Sequence, residues 1–440
     1  MSSQNLHVCI IGAGIGGLVC AIACRQQGLS VEIFEQAPEI LPIGAGIQVP
    51  PNATRALDRL GLMPAMKTAG NEVKAIIMRR YQDGAVLNRR ELKHDSPWIL
   101  IHRADYLDVL MNRLKELGVP IHLDSKVENV DFEAGKLYLA NGKVATGDVI
   151  IGADGLWSAT RSKMLGHVSE PYETGDLAYR ATFTRKQLED LNDPRVVSLC
   201  SSMESNVWFG PEKHSVLYPV KNGTQFNMVL VRPDNLAKGK RTEKGDIDEM
   251  RDTFVGWDDV LTKIISCISS CLKWKLMHHD ELESWTKGTV ALLGDACHPT
   301  LPYQAQGAAM AAEDGTVLGL LLGKLNSSLR NNIIRRDKQR SSIIEILGLY
   351  EQCQKRRTTT NVLGAIGNQH FYHMPDGPAQ QARDEELKRH TYTNEKSRHT
   401  WCDMNYVTEL LDYDVWAGAE NIYEKWEKGY TQNGEISSVL

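Results

Sequence analysis

At 440 residues the chain can bury two or three packed units without metal or disulfide staples. Its 50 Lys plus Arg are balanced by 55 Asp plus Glu, which argues against nucleic acid, since a phosphate backbone selects a basic face. The nine cysteines show neither a disulfide framework nor zinc-ligand spacing, so no metal is expected.

No basic segment precedes an apolar stretch at the N-terminus, so no targeting signal is read there. Val8–Ile11 is a strand-like run, followed by Gly12–Ala13–Gly14–Ile15–Gly16–Gly17, a helical Leu18–Cys24 run and a second strand, Val31–Phe34, ending on Glu35. Strand, glycine turn, helix, strand and acid is the order of a Rossmann βαβ unit. In it Gly12 makes the turn, Gly14 lets backbone approach a pyrophosphate, and Gly17 brings the helix close to the strand. Phosphates would sit on the free N–H groups of the first helical turn, and Glu35 would accept the ribose hydroxyls of an adenine dinucleotide.

Asn52 then reads as the N-cap of a short helix, Thr54–Leu62. Val73–Leu92 alternates with period two and breaks at Asp83–Gly84, a hairpin signal. Asp105–Leu117 is an amphipathic helix, and Val127–Val130, Leu137–Leu139 and Lys143–Ala145 are short strands. Asp148–Gly155 is a buried strand ending in a turn, ahead of a helix from Ser158 to Leu165. Val196–Val231 reads as half-buried antiparallel sheet, Asp246–Trp274 as helical, and Thr289–Asp295 as a third strand ending on glycine and aspartate. A small-residue helix starts at Gly307. Its apolar run Val317–Leu322 is too short to span a bilayer, so a cytoplasmic protein with no stable membrane association is expected. Arg335–Arg340 and Lys355–Arg357 read as solvated helix faces, and beyond Asp376–Gly377–Pro378 the chain reads as a polar, peripheral tail.

This order predicts an α/β fold in which one discontinuous nucleotide-binding domain wraps around an inserted antiparallel-sheet domain. The nucleotide-binding parts are 1–72, 102–178 and 286–345, the substrate-domain sheet is 73–101 and 179–285, and 346–440 is a C-terminal helical region and tail. Three motif-bearing strand ends, at Gly12–Gly17, Asp154–Gly155 and Gly294–Asp295, suit an extended FAD better than a nicotinamide cofactor. No second complete GxGxxG occurs, so NADH or NADPH is expected to visit only transiently, as reductant.

Gly12-x-Gly14-x-x-Gly17 with Glu35, Gly44–Ala45–Gly46–Ile47, Pro51–Asn52–Ala53, Arg103, Asp154–Gly155 with Ser158 and Arg161, Tyr179–Arg180, Gly294–Asp295–Ala296–Cys297–His298–Pro299, and Ala305–Gln306–Gly307 with Glu313–Asp314 follow one another in order. In this the chain resembles the FAD-dependent aromatic hydroxylases of the p-hydroxybenzoate hydroxylase fold, nearest the salicylate hydroxylase and 3-hydroxybenzoate 6-hydroxylase branch, from residue 7 to about 360. The resemblance implies non-covalent FAD. Glu35 and Gln36 would lie at the adenosine, Arg103 at the diphosphate, and Asp295 at the ribityl chain and diphosphate. Asp154–Gly155 would serve both FAD and the incoming pyridine nucleotide, Pro299, Gln306, Gly307 and Ala308 would line the isoalloxazine, and Gly46 is counted with the cofactor residues. It also implies a monooxygenase using NAD(P)H and O2 to hydroxylate a small phenolic substrate through a flavin C4a-hydroperoxide, nominally salicylate to catechol with decarboxylation.

Taking the phenolic proton makes the ring electron-rich, so a base is expected in the sheet domain. His214 and Tyr218 stand at an even offset on a strand, hence on one face, and histidine's ordinary pKa is near neutral. The resemblance makes His214 the acceptor and Tyr218 its support, with His298 structural. Tyr303 would shape the substrate pocket, and Arg180 would move with the flavin or steady a substrate carboxylate. Pro302 stands where relatives carry glutamine, which leaves bulkier phenols open. Hydroxylation or epoxidation of a polyketide or indole-type metabolite is the alternative of the same class. A non-enzymatic flavin-binding regulator is the alternative of another. The oligomeric state is left open.

Overall fold

The computed structural model describes residues 5–40, 45–393 and 396–433. Its first sheet runs in the order Thr286–Lys287, Val290–Leu292, Val149–Gly152, His7–Ile11, Ser30–Phe34, Ile121–His122. All neighbours pair parallel except the Thr286–Lys287 edge. The strands that precede Gly12, Glu35, Asp154 and Asp295 are therefore adjacent, and their carboxyl ends open along one edge, where open α/β sheets bind ligands.

The helix Ile15–Gln26 is buried along nearly its whole length, between that sheet and the helix Gly307–Arg330. Gly315 and Gly319 face it one turn apart. A Cβ at Gly315 would lie 2.7 Å from Cys20 N, and one at Gly319 would collide with Ala23, so the small residues set the closeness of the two axes.

An eight-stranded sheet carries the second layer, in the order Thr242–Lys244, Leu272–His278, Tyr172–Thr184, Gln225–Pro233, Lys213–Val220, Ser205–Gly210, Ala75–Arg80, Val86–Glu91. The hairpin at Asp83–Gly84 forms as expected. The sheet is mixed rather than purely antiparallel, because Ser205–Gly210 and Ala75–Arg80 pair parallel. The strand Tyr172–Thr184 runs straight through the domain boundary expected at residue 178.

Several element readings are corrected. The helix read from Thr54 spans Pro51–Arg59, with Pro50 rather than Asn52 as cap, because Pro51 fits the first turn, where its missing N–H costs nothing. Residues 196–201, read as strand, lie in the helix Pro194–Ser201: Asp193 caps it through Arg195 N and Pro194 starts it, which outweighs the apolar run. The helical reading to Trp274 stops early, since Leu272–His278 is a strand. Its pattern is inverted, with Trp274 outside and Lys273 and Lys275 inside, each held by carboxylates (Glu249 at 2.6 Å; Glu173 at 2.8 Å and Asp234 at 3.0 Å).

The C-terminal part is not a peripheral tail. The helix Gln339–Tyr372 is followed by Pro378–Arg389, Met404–Leu411 and Val415–Asn433. Arg383, Trp401, Cys402 and Leu410 are buried, and Trp401, Phe371 and Tyr372 share one apolar cluster with Val207, Tyr218 and Tyr303. Nor is Arg357 solvated. It pairs at 2.9 Å with Glu313, which has no exposed surface, and donates to the carbonyls of Glu409 and Leu410. Arg335 does face solvent. No helix among the described residues is long and apolar enough to cross a membrane.

Candidate active site

The first cleft opens where the parallel strands end. Gly12 adopts φ +103°, a conformation that favours glycine, and a Cβ on Gly17 would strike the Gly12 carbonyl, so the turn needs both residues. At Gly14 the helix has no side-chain cap, and its first-turn N–H groups face the cleft lined by Gly12, Gly14, Glu35, Gln36, Asp154, Gly155 and Trp157. Glu35 is held at the rim by Ala13 N (2.7 Å) and Ala37 N (2.9 Å). Asp154 is occupied by Ser158 Oγ (2.6 Å) and by Thr160 N and Oγ1 (both 2.9 Å), so its carboxylate fixes the start of the next helix while Gly155 turns the chain at φ +74°.

The Asp295 side chain is exposed, yet it stands among buried residues. Burial raises its pKa, opposed by His298, Arg103 and Arg161. Arg103 is the first residue of the helix Arg103–Glu116. Burial and Arg180 lower its pKa while Asp295 raises it. Arg161 is fully buried and donates to the carbonyls of Ala296, Leu156 and Ser169, tying the second strand end to the third.

Cys297, His298 and Asp314 place three potential metal-ligand atoms within 4.8 Å of one another, a cluster the sequence reading did not find. Two of them bond each other, His298 Nε2 to Asp314 at 2.6 Å, and Asp314 also accepts from Gly294 N and Gln354 Nε2, both at 3.0 Å. Burial alone would lower the pKa of His298, but Asp314 and Cys297 hold it well above the ordinary value. The network pins the 294–298 turn and so aims Asp295.

Gln306 and Asn52 bond each other reciprocally at 3.0 and 3.3 Å, which leaves the Gln306 backbone, not its side chain, to meet a ligand. The helix Gly307–Arg330 also starts without a side-chain cap, beside buried Pro299 and half-buried Gly307 and Ala308. Two uncapped helix starts, an acid held at the rim and a deep Arg–Asp set fit the pyrophosphate, ribose and ribityl groups of FAD.

A second cavity lies between the eight-stranded sheet, the turn 302–305 and the C-terminal region. Its wall includes Gln48, Ile76, Trp98, Ser205, Val207, His214, Val216, Pro302, Tyr303, Gln304, Tyr372 and Trp401. His214 and Tyr218 share a sheet face as expected, but only His214 reaches this cavity. Tyr218 packs where a Cβ on Gly46 would meet its ring at 2.6 Å, close to Asn227, whose Oδ1 accepts from Gly46 N at 2.7 Å. Arg180 lies beside Tyr218 and under Trp274, 5.9 Å from the ring, with no partner for Nε among the described residues. Tyr303 donates to Asp176 and packs 5.3 Å from the His214 ring.

The near-neutral pKa expected for His214 is corrected. Burial, and then the neighbouring His373, push it well below the ordinary value. His214 Nδ1 lies 2.8 Å from His373 Nε2, and Tyr372 packs on the same ring at 5.2 Å. Tyr372, His373 and Asp176 were missed by the sequence reading. The one signal was the run Gln369–His370–Phe371–Tyr372–His373, rich in rings within a polar region, but nothing local joins it to a histidine 159 residues away. Gly44 lies outside the described residues.

The model of the FAD binding domain family matches residues 5–331. The FAD-dependent monooxygenase OpS4 of Beauveria bassiana (strain ARSEF 2860) is 35% identical over 429 residues, covering 95% of this chain and 97% of that protein. The 3-hydroxybenzoate 6-hydroxylase 1 of Aquipseudomonas alcaligenes is 33% identical over 331 residues, 72% and 81% of the two chains. Among solved structures, a salicylate hydroxylase substrate complex superposes with a TM-score of 0.78 at 25% identity, covering 95% of this chain and 98% of that one. Together with a cleft that fits FAD, these matches show that the chain belongs to the FAD-dependent aromatic hydroxylase family.

Proposed function

We propose that the protein hydroxylates a phenolic ring with O2, using NADH or NADPH as a transient reductant. One observation carries this reading: the turn that walls the second cavity leads straight into an uncapped helix start. Pro302–Ala305 wall that cavity, and the helix Gly307–Arg330 opens with first-turn N–H groups that, with Pro299, would meet the flavin. Bound FAD, once reduced, supplies the oxygen-activating chemistry. The chain's own residues do the rest. Glu35, Arg103 and Asp295 hold the cofactor, and the first-turn N–H groups at Gly14 take its phosphate charge. The apolar wall of Val207, Val216, Trp98, Trp401 and Tyr372 limits the access of water. His214 accepts the phenolic proton, leaving the ring electron-rich.

The nominal substrate is salicylate, converted to catechol with decarboxylation. A second reading, an uncharged phenol of polyketide or indole type, is favoured by the cavity wall, which among the described residues carries neither Lys nor Arg to meet a carboxylate. A substrate panel on the FAD-loaded protein, following O2 uptake and product mass, separates the two. Uncharged phenols should give the higher kcat/KM, and tightly coupled turnover of salicylate to catechol would return the assignment to the carboxylated substrate.

A further inference from the structure

The base assigned above does not stand alone. His214 projects from the strand Lys213–Val220, and His373 from the residue that ends the helix Gln339–Tyr372. They meet through one N···N contact of 2.8 Å, their ring centres 5.0 Å apart. Two neutral imidazoles so joined share one proton, and the ring that donates it has its other nitrogen unprotonated. Asp176, on the strand Tyr172–Thr184, decides which ring donates. Its Oδ2 lies 3.9 Å from His373 Nδ1 and already accepts from Tyr303 Oη and from Gln369 Nε2 (2.6 Å), the surroundings of a carboxylate. A proton on His373 Nδ1 facing that carboxylate leaves His373 Nε2 as the acceptor. His214 Nδ1 is then the donor, and the His214 lone pair sits on Nε2, the nitrogen left for the cavity that His214 lines.

We infer that His373 is a positioning residue for the hydroxylation: backed by Asp176, it fixes His214 in the tautomer that can accept a phenolic proton and carries that proton out of the cavity. The inference rests on the reading of His214 as base. The phenolic O–H bond breaks and an N–H bond forms at His214 Nε2. The Nδ1 proton of His214 passes to His373 Nε2, and the Nδ1 proton of His373 leaves toward Asp176 and the solvent that His373 reaches with about a tenth of its side-chain surface. One proton leaves the phenol and one reaches water. The groups facing the pair are all accounted for. Tyr303 and Tyr372 pack on His214, and His370 and Asp176 act on His373. Burial, with Asp234 and Glu212, raises the Asp176 pKa, and the hydrogen bonds from Tyr303 and Gln369 oppose that rise. Burial and then His370 push His373 down to about 4, so the pair passes a proton on rather than storing it.

The test uses full-length, FAD-loaded protein labelled with 15N-histidine, as wild type, His373→Leu, His373→Gln, Asp176→Asn and His214→Ala. Nitrogen chemical shifts report the His214 tautomer without substrate. Absorbance of bound 4-nitrophenol, titrated with pH, reports its ionisation without turnover. Wild type should show Nδ1-protonated His214. His373→Leu should mix the tautomers and raise the ionisation midpoint of the bound phenol by about one pH unit, tenfold in proton affinity. His373→Gln, whose carbonyl oxygen can take the same N–H, should restore the tautomer. Asp176→Asn should give an intermediate mixture. An unchanged His214 tautomer in His373→Leu would overturn the inference. If the tautomer switches in His373→Leu while His214→Ala leaves 4-nitrophenol ionisation untouched, positioning by His373 stands and the reading of His214 as base falls.

Discussion

At the scale of single residues, the turn that carries Asp295 is pinned from behind by His298 and Asp314, and the proposed role of its carboxylate is to hold FAD. Asp295→Ala should weaken FAD binding for every substrate tested, by about 1.5–3 kcal/mol for a lost charge-assisted hydrogen bond. Glu35→Gln should weaken it less, because the amide oxygen can still accept Ala13 N or Ala37 N. Flavin fluorescence on dilution measures both. His214→Ala should keep FAD and its reduction by NAD(P)H yet slow hydroxylation by about 10²–10⁴. The pH dependence follows from the lowered histidines. The competent form of His214 is neutral, so kcat/KM should stay level as pH falls through ~6.5, the ordinary histidine value, and drop only toward the lower values of the buried pair. Between those limits the unfolded chain binds more protons than the folded one, so stability should also fall as pH drops through that window. A kinetic acid limb centred near 6.5 would contradict the pairing of His214 with His373.

The same residues show what a sequence can and cannot carry. The turn at Gly12 and Gly17 and the place of Glu35 beside it were legible because turn, helix and strand are contiguous in the sequence. The even offset of Tyr218 from His214 correctly gave a shared face. It could not say that Tyr218 would pack against Gly46 and leave the cavity wall to His214.

Between elements, Arg357 joins three helices: its own, Gly307–Arg330 through Glu313, and Met404–Leu411 through two carbonyls. Arg357→Met should leave Glu313 buried and unpaired and destabilise the fold by about 3–5 kcal/mol, read as a lower denaturant midpoint. Glu313→Gln in the same background should recover part of the loss, since an amide is cheaper to bury than a carboxylate. Strands with regular alternation were readable. Leu272–His278 was not, because paired lysines face inward and its apolar residues partly outward, so its period-two signal is reversed in sign. The helix Pro194–Ser201 was missed for another reason: Asp193 and Pro194 form a start signal that an apolar run following it conceals.

Over the whole molecule, adjacency of parallel strands gathers three distant motifs at one edge, while the C-terminal region adds Tyr372 and Trp401 to the wall of the second cavity and brings His373 to His214. The first relation was foreseeable, since parallel α/β units place their strand ends together. The second depends on tertiary packing that no local pattern encodes: Trp401, in the stretch read as a tail, lies in the wall of the second cavity. The central claim is that both clefts serve one reaction, oxygen transfer from O2 to a phenol. Its most direct test is turnover of the FAD-loaded protein under 18O2 with NADH or NADPH across a panel of phenols, with mass spectrometry of the products. The account predicts one 18O atom in the hydroxylated product, NAD(P)H consumed in proportion, and, with His214→Ala, hydrogen peroxide in place of product. Oxygen consumption that yields only peroxide for every phenol, or a product whose new oxygen comes from water, would contradict it.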